Sequence, residues 1–323
     1  MPEKTSDPEL PSEVTAEVTA YAPASVGNVA VGFDLLGHAL NSPGDRVTIR
    51  RRSRPGVGIG RIHGVACDLP HDPNENTATR AVIALCEAMN ISPALEIDIE
   101  KGIPLASGLG GSAASAVAAV VAADHLLGTH LSREQLYPFA LAGEAVASGA
   151  EHGDNVGCQL IGGLVLATAH RLISIPVPPG LAALAVHPDY CINTRDAREP
   201  LKKPFSLDTI VQQSANLALV LSGCHQNRLD WIAEGLRDVM IEPRRAALIP
   251  GFDQVRQAAL DHGALGASIS GAGPTVFGWF RNQGEAAAAA VSVVEAFGLV
   301  DLPAQAYVSP VDAPAARIDE SAR

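Results

Sequence analysis

Residues Pro104–Ala114 read PLASGLGGSAA, and the fold turns on what this stretch is. Gly108, Gly110 and Gly111 stand directly before Ser112 and a long alanine-rich run, so the stretch reads as a glycine turn opening a helix. Glycine admits φ > 0 and lets another group approach the backbone closely. The first turn of a helix carries unpaired N–H groups and the positive end of the helix dipole. Together they form a cradle for an anion, with phosphate the usual guest. A helix cap needs a single glycine, and this turn has three.

Two other phosphate loops fit less well. GxxxxGK[ST] is absent, because no Lys follows the glycines. GLGGSA matches a relaxed dinucleotide fingerprint, but the strand before it, Leu95–Glu100 (LEIDIE), alternates apolar and acidic residues where a buried parallel strand would be continuously apolar. Pro104 separates strand from glycines, and no acid lies ~20 residues past the loop to meet a ribose. The uncharged run Ile103–Ala123 approaches the length of a membrane span, yet its Pro, Gly and Ser opening makes it a loop and a buried helix.

Working outward, Val14–Tyr21, Asp45–Arg52 and Leu95–Glu100 alternate as strands, the last with its acids on one wetted face of an antiparallel pair. Helices are predicted over Thr77–Met89, Ser112–Leu127 and Ser132–Ser148, with Ser132 and Gln135 spaced as a capping box. Beyond the Pro-rich stretch Ile175–Gly180, strands are predicted at Leu181–His187, Ala264–Ser270, Thr275–Phe280 and Gln305–Ser309. Helices are predicted there at Ser206–Ser222, Asn227–Met240, Phe252–His262 and Gly284–Phe297. Strands and helices mix without βαβ repetition, which makes the fold α+β. It divides into domains 14–178 and 179–310, flanked by mobile tails 1–13 and 311–323.

The 323 residues carry 18% charged side chains and a net charge of −12, which argues against a nucleic-acid or membrane-surface role; an anionic substrate then needs a local basic pocket. Cys67, Cys86, Cys158, Cys191 and Cys224 are scattered and odd in number, without a CxxC pair. They suit a reducing cytoplasm, and the polar opening MPEKTSDPEL PS lacks a secretory signal's apolar stretch.

Two further motifs follow the order of a known family. With Ala22–Leu40 (APASVGNVAVGFDLLGHAL) and Ser268–Thr275 (SISGAGPT), PLASGLGGSAAS resembles the motif set of the GHMP kinases, which phosphorylate small metabolites such as galactose, homoserine and mevalonate. The resemblance spans about Val14 to Ser309. Asn28 with Gly32-Phe33-Asp34 stands where the galactose and mevalonate branches carry Gly-Glu-His. This is similar to the homoserine branch, as are His152-Gly153-Asp154-Asn155, Thr194 with Arg198, and Glu242-Pro243-Arg244-Arg245. The resemblance implies an amino-terminal domain with a left-handed βαβ crossover and a ferredoxin-like carboxy-terminal domain, with ligands between them. It implies transfer from ATP with Mg2+ to the homoserine hydroxyl, on the route to threonine, by a cytoplasmic homodimer. Two positions depart: Gly111 where Ser is usual, and Gly153 where Pro is common.

Homoserine has an ammonium, a carboxylate and a primary hydroxyl, so its site needs an anion, a cation and a positioner. The resemblance assigns the ammonium to Asp34, helped by Asn28, and the carboxylate to Arg198 and Arg245, whose guanidinium matches it bidentately. His152, Asp154, Thr194 and Gly271 complete the substrate set, and Asn155 meets the hydroxyl. An amide takes no proton, so Asn155 with Asp34 acts by positioning and charge. ATP falls to Pro104, Leu105, Ala106, Ser107, Gly108, Leu109, Gly110, Gly111, Ser112, Ala113 and Ala114, with Asn76 near the adenine, and Mg2+ to Ser112 and Glu144. Read without the family, Asp34 is a turn residue, the arginines and Glu144 are surface charges, and Asn76 is a helix N-cap. The alternatives are another small alcohol, a noncatalytic ligand-binding member of the fold, or a dinucleotide oxidoreductase.

Overall fold

The structure, a computed structural model, describes residues 17–149 and 151–320, with all their side chains except those of Ser148, Thr194 and Arg195. The first half builds a sheet from β1 (Glu17–Gly27), β2 (Leu36–Arg51), β3 (Gly56–Gly64), β4 (Ala94–Lys101), β5 (Leu164–Ala167) and β6 (Leu172–Ile175). Its helices are α1 (Thr77–Ala88), α2 (Gly111–Leu127), α3 (Arg133–Ser148) and α4 (Gly153–Ile161). The strand path is β11-β1-β2-β4-β3, with β5 on β2 and β6 on β5; β11 is the late strand Arg317–Ile318.

β4 is antiparallel to β2, as its alternation suggested, and also parallel to β3, so β3–α1–β4 is a βαβ unit. The acids are not simply solvated. Arg50 on β2 reaches Glu96 at 2.9 Å and Asp98 at 2.8 Å, and an ion-paired face alternates as a wetted one does. Helix α2 is buried on every side from Ala113 to Ala123, which explains why its sequence is uncharged and lacks an amphipathic stripe. Its alanines let it lie close to β1 and β2 on one side and α1 and α3 on the other. The Ser132–Gln135 capping box opens α3 as predicted.

Between Ile175 and Ala182 the chain passes to a second sheet made of β7 (Ala182–Pro188), β8 (Gly266–Ile269), β9 (Val276–Phe280) and β10 (Ala304–Pro310). The helices of this half are α5 (Thr194–Arg198), α6 (Leu207–Gln226), α7 (Leu229–Gly235), α8 (Glu242–Arg245), α9 (Phe252–Asp261) and α10 (Gln283–Gly298). The antiparallel order β10-β7-β9-β8 with α9 and α10 packed on it is the 4-1-3-2 arrangement of a ferredoxin-like unit. Strand periodicity splits its side chains between two cores. Leu184, Val186, Val276 and Phe280 face α9 and α10, whereas Ala183, Ala185, Phe277 and Trp279 join the core of the first unit. Trp279 Nε1 donates to His38 Nε2 at 3.2 Å across that junction, and burial pushes the His38 imidazole down to about 4.

Several expectations change. Residues 311–320 are not a loose tail: β11 pairs with β1, and Val311, Ala313 and Ala316 are buried. Small residues among prolines had hidden that seam. Residues 1–16, including the start of the first predicted strand, lie outside the described residues. The helix predicted over Asn227–Met240 is helical only at Leu229–Gly235, because the Asp238 carboxylate accepts the N–H groups of Met240, Ile241 and Glu242 and turns the chain. β3, β5, β6 and α4 were not predicted; they are short or glycine-rich.

Candidate active site

The loop before α2 is shaped by what takes its carbonyls. Ile192 N–H donates to Ala106 O (3.3 Å), Thr275 Oγ1 to Ser107 O (2.6 Å), and Ser270 Oγ to Gly108 O (2.7 Å). Ser25 N–H donates to Leu109 O (3.0 Å), Gln159 Nε2 to Gly110 O (3.0 Å) and Lys101 Nζ to Gly111 O (2.7 Å). Six successive acceptors are thus held from outside, and the amide edge is left to a cleft of ≈ 680 Å3 that Gly108, Gly110, Gly111 and Ser112 line. Leu109 is the exception, its N–H taken by Ser107 Oγ. Helix α2 starts at this loop with a left-handed glycine N-cap and no side-chain cap bond. Gly108 must be glycine twice over: its φ is +79°, and a Cβ there would stand 2.5 Å from Ser270 O.

Lys101 anchors the loop from beneath. Its fully buried ammonium pairs with Asp45 and also donates to Ser115 Oγ (3.0 Å), while Asp45 accepts the N–H groups of Gly102 and Ile103. Removing one partner of such a pair typically costs about 3–5 kcal/mol.

At the other end of the cleft β1 runs into a left-handed turn. Asn28, Val29 and Ala30 take φ of 68°, 42° and 57°, and Asp34 takes 58°. Non-glycine residues there cost of order 1–3 kcal/mol each, so the turn needs locks. Asn28 N–H donates to the buried Asp154 Oδ2 (3.1 Å) and Asn28 Nδ2 to Gly271 O (2.8 Å), while Asn28 Oδ1 accepts the Asp34 N–H (2.9 Å).

Asp34 thereby presents its carboxylate to Arg198, whose Nη2 lies 2.9 and 3.1 Å from its two oxygens, and to His152 Nδ1 at 3.4 Å. Arg245 is buried, with Nε donating to Ala197 O (2.9 Å) and Nη1 to Gly271 O (3.0 Å). Both guanidinium groups stand over the Phe33 ring, at 5.4 and 5.3 Å from its centroid. Burial and the neighbouring Arg198 lower Arg245 to about 10. Arg198 Nε and His152 Nε2 are buried without a hydrogen-bond partner. A small ligand carrying a carboxylate fits the guanidinium donors of Arg198 and Arg245.

Between the two ends lie Ser112, Glu144, Asp154 and Asn155. Glu144 is buried, so it is not the exposed helical Glu its sequence context suggested. Burial pushes its carboxyl up to about 7, offset in part by a hydrogen bond from Ser112. Burial and then the charge of Asp34 push Asp154 up to about 7. Among the described residues no cluster of three His, Cys, Asp or Glu side chains could hold a metal alone.

Other sequence-derived positions sit differently. Leu109, Ala113 and Ala114 point into the core, so only their backbone could serve a ligand. Asn76 lines the cleft, but its Oδ1 caps α1 and its Nδ2 donates to Pro70 O, so it shapes a wall. Gly271 serves through its carbonyl, held by Asn28 and Arg245. Pro104, Leu105, Ala106 and Ser107 line the rim, and the Thr194 side chain lies outside the described ones. Lys101, Asp45, Ser25, Gln159 and Phe33 were missed as functional; Ser25 and Phe33 sat inside a quoted motif, while the other three had no local signal.

Family models match at residues 76–163, the GHMP kinases N terminal domain, and at residues 220–298, the GHMP kinases C terminal. The chain is 55% identical over 302 residues to a homoserine kinase of Xanthomonas campestris, covering 94% of each. It is 51% identical over 319 residues to one of Xylella fastidiosa, covering 98% of this chain and 99% of the relative. A crystal structure of homoserine kinase from Cytophaga hutchinsonii superposes with TM-score 0.92 at 38% identity, over 96% of this chain and 100% of that one.

Proposed function

The chain belongs to the GHMP kinase family, and on that premise we propose that it transfers the γ-phosphoryl group of ATP to the hydroxyl of L-homoserine, giving O-phospho-L-homoserine and ADP. One observation carries the reading: Asp34 lies between Arg198 and His152 with Arg245 beside it, an anion and two guanidinium groups matched to an amino acid's ammonium and carboxylate, across the cleft from the anion cradle. Asp34 with Asn28 takes the ammonium, and Arg198 and Arg245 take the carboxylate. The hydroxyl then points toward Asn155 and the cradle.

The cradle's N–H groups hold the phosphates, and Lys101 keeps the loop in shape. Ser112 and Glu144 are oxygen donors beside that cradle, which suits Mg2+, an ion that takes few protein ligands and keeps waters and phosphate oxygens. When bound, Mg2+ neutralises charge on the phosphates. In the transfer a bond forms from the homoserine oxygen to the γ-phosphorus, and the bond from that phosphorus to the β,γ-bridging oxygen breaks. A loose transition state requires little activation of the hydroxyl. Its proton leaves late, to the transferred phosphoryl group, with Asn155 orienting the oxygen.

The same reading includes a cytoplasmic homodimer. The exposed Leu207, Ile210 and Val211 on α6 are the apolar surface a second copy would cover, and light scattering would then give twice the chain mass. No helix among the described residues is long and apolar enough to cross a membrane. The function is tested by ADP release with ATP and Mg2+ across homoserine, mevalonate, galactose, shikimate and threonine. Homoserine turns over at least about 100-fold faster than the others, the scale on which unpaired buried polar groups discriminate. Equal rates on mevalonate or galactose overturn the assignment, and nucleotide binding without turnover of any alcohol makes the chain a noncatalytic member.

A further inference from the structure

We infer that Gln159 and Ser25 form a relay by which the phosphate loop fixes which end of the Asn155 amide faces the acceptor. The inference rests on the reading that Asn155 meets the acceptor hydroxyl, and it adds two positioning residues to that reading.

The hydrogen-bond directions follow from one fixed point. A backbone carbonyl only accepts, so Gly110 O at 3.0 Å requires Gln159 to turn its NH2 end toward the loop. The same nitrogen lies 3.0 Å from Ser25 Oγ, so the serine oxygen accepts the second N–H. The serine hydrogen then goes to Asn155 Oδ1 at 2.8 Å, a stronger acceptor than the neighbouring Cys158 sulfur. With its oxygen taken, the Asn155 amide turns its NH2 toward the cleft. This chain of directions starts at a backbone carbonyl, a group that cannot flip.

Two observations support the relay. Gln159 is fully buried, and its Oε1 has no partner, so its orientation is held by the two bonds its nitrogen makes and not by satisfaction of the whole side chain. The three side chains also converge on one point. A Cβ on Gly110 would stand 2.8 Å from both Asn155 Oδ1 and Gln159 Nε2 and would overlap Ser25 Oγ. The missing side chain of Gly110, as much as its φ of +68°, makes room for the relay.

An NH2 facing the cleft donates to the hydroxyl oxygen, or to the phosphoryl oxygens beside it, and leaves the hydroxyl hydrogen free to depart. An amide oxygen there would hold that hydrogen in place. Gln159 touches the loop and Ser25 together, so a shift of Gly110 would pass through Gln159 and Ser25 to Asn155.

The test is a double-mutant cycle with Ser25→Ala and Asn155→Ala, reading kcat, both KM values and thermal stability. Asn155→Ala lowers kcat about 100-fold, as loss of one oriented donor does. Ser25→Ala lowers kcat about 10-fold, with KM for ATP within about twofold, and Ser25→Thr restores it. In the Asn155→Ala background, Ser25→Ala changes kcat by less than about twofold. If the two losses instead multiply, Ser25 acts on something other than Asn155 and the relay is wrong. If Asn155→Ala keeps full turnover, the reading of Asn155 falls and the relay with it. Gln159→Glu removes both N–H donors and is expected to raise KM for ATP as well as lower kcat; an ATP KM that stays put overturns the link to the loop.

Discussion

At the loop end of the cleft the carbonyls from Ala106 to Gly111 are all taken by neighbouring groups, and recognition is left to backbone N–H. At the acceptor end the work falls to side chains, among them Asp34 and Arg198, which pair at 2.9 Å. The contrast has a consequence for selectivity. A backbone cradle is indifferent to most substitutions but fails where its φ or close approach forbids a Cβ. The acceptor end depends on chemical identity, because a ligand must replace an internal ion pair. A molecule with both an ammonium and a carboxylate exchanges partners with Asp34 and Arg198. One with a single charge leaves a half-buried partner unpaired, at less than the about 2–5 kcal/mol of a fully buried one.

The largest break in the comparison is Gly108→Ala. The added methyl meets the Ser270 carbonyl at φ +79°, so the clamp between loop and second unit opens. ATP affinity falls by more than about 1,000-fold, or the chain loses cooperative unfolding, the combined scale of overpacking and left-handed strain. Nucleotide titration together with thermal unfolding checks it; wild-type affinity would mean the loop is not clamped as described.

Next in size are the acceptor arginines. Arg198→Ala and Arg245→Ala each lower kcat/KM for homoserine by about 100- to 1,000-fold, while KM for ATP stays within about threefold. The chemical counterpart is 4-hydroxybutyrate, which lacks the ammonium and turns over worse by a similar factor. If it serves as well as homoserine, the exchange of ion-pair partners at Asp34 is wrong.

Glu144 bridges the two regimes, a side chain placed beside the backbone cradle. Its carboxyl sits near 7 in the fold against 4.5 in the free chain, so the folded state holds that proton more tightly. Its stabilising contribution is therefore full below pH 4.5 and lost as pH rises through 7. Without ligand, Glu144→Gln gains stability relative to wild type between pH 5 and pH 8, by up to ~3 kcal/mol. With ATP and Mg2+, its turnover drops about 100-fold and its Mg2+ requirement rises. Matched melts at both pH values and a Mg2+ titration decide the point; parallel melting curves and unchanged Mg2+ dependence would remove Glu144 from the site.

How much of this was legible beforehand follows the same division. The cradle was readable from PLASGLGGSAA because its residues adjoin in sequence and glycine leaves a local mark. Asp34 and Arg198 are 164 residues apart; the resemblance to a family put both in one site, and their pairing with each other was not read. Lys101 with Asp45, and Gln159 with Ser25, were not readable at all. Each pair is joined across 56 or 134 residues by burial, which no periodicity encodes. LEIDIE showed its antiparallel pairing but not its ion pairs, since Arg50 lies on another strand and supplies the charge that its acids face.

The smallest effect concerns Gly111, where the family usually has Ser. If the cradle works through N–H groups, restoring the hydroxyl should change little. Gly111 is the first residue of α2 and is not among the positive-φ positions, so a side chain meets no backbone penalty. Its Cβ would stand 3.1 Å from Ile103 Cγ2 and 3.5 Å from Lys101 Nζ, a contact that a slight turn of Ile103 relieves. Gly111→Ser is therefore expected to leave KM for ATP within about threefold, the scale of one exposed neutral hydrogen bond. A gain of 100-fold in affinity would show that side chains carry recognition at the loop end too, and the contrast between the two ends of the cleft would disappear.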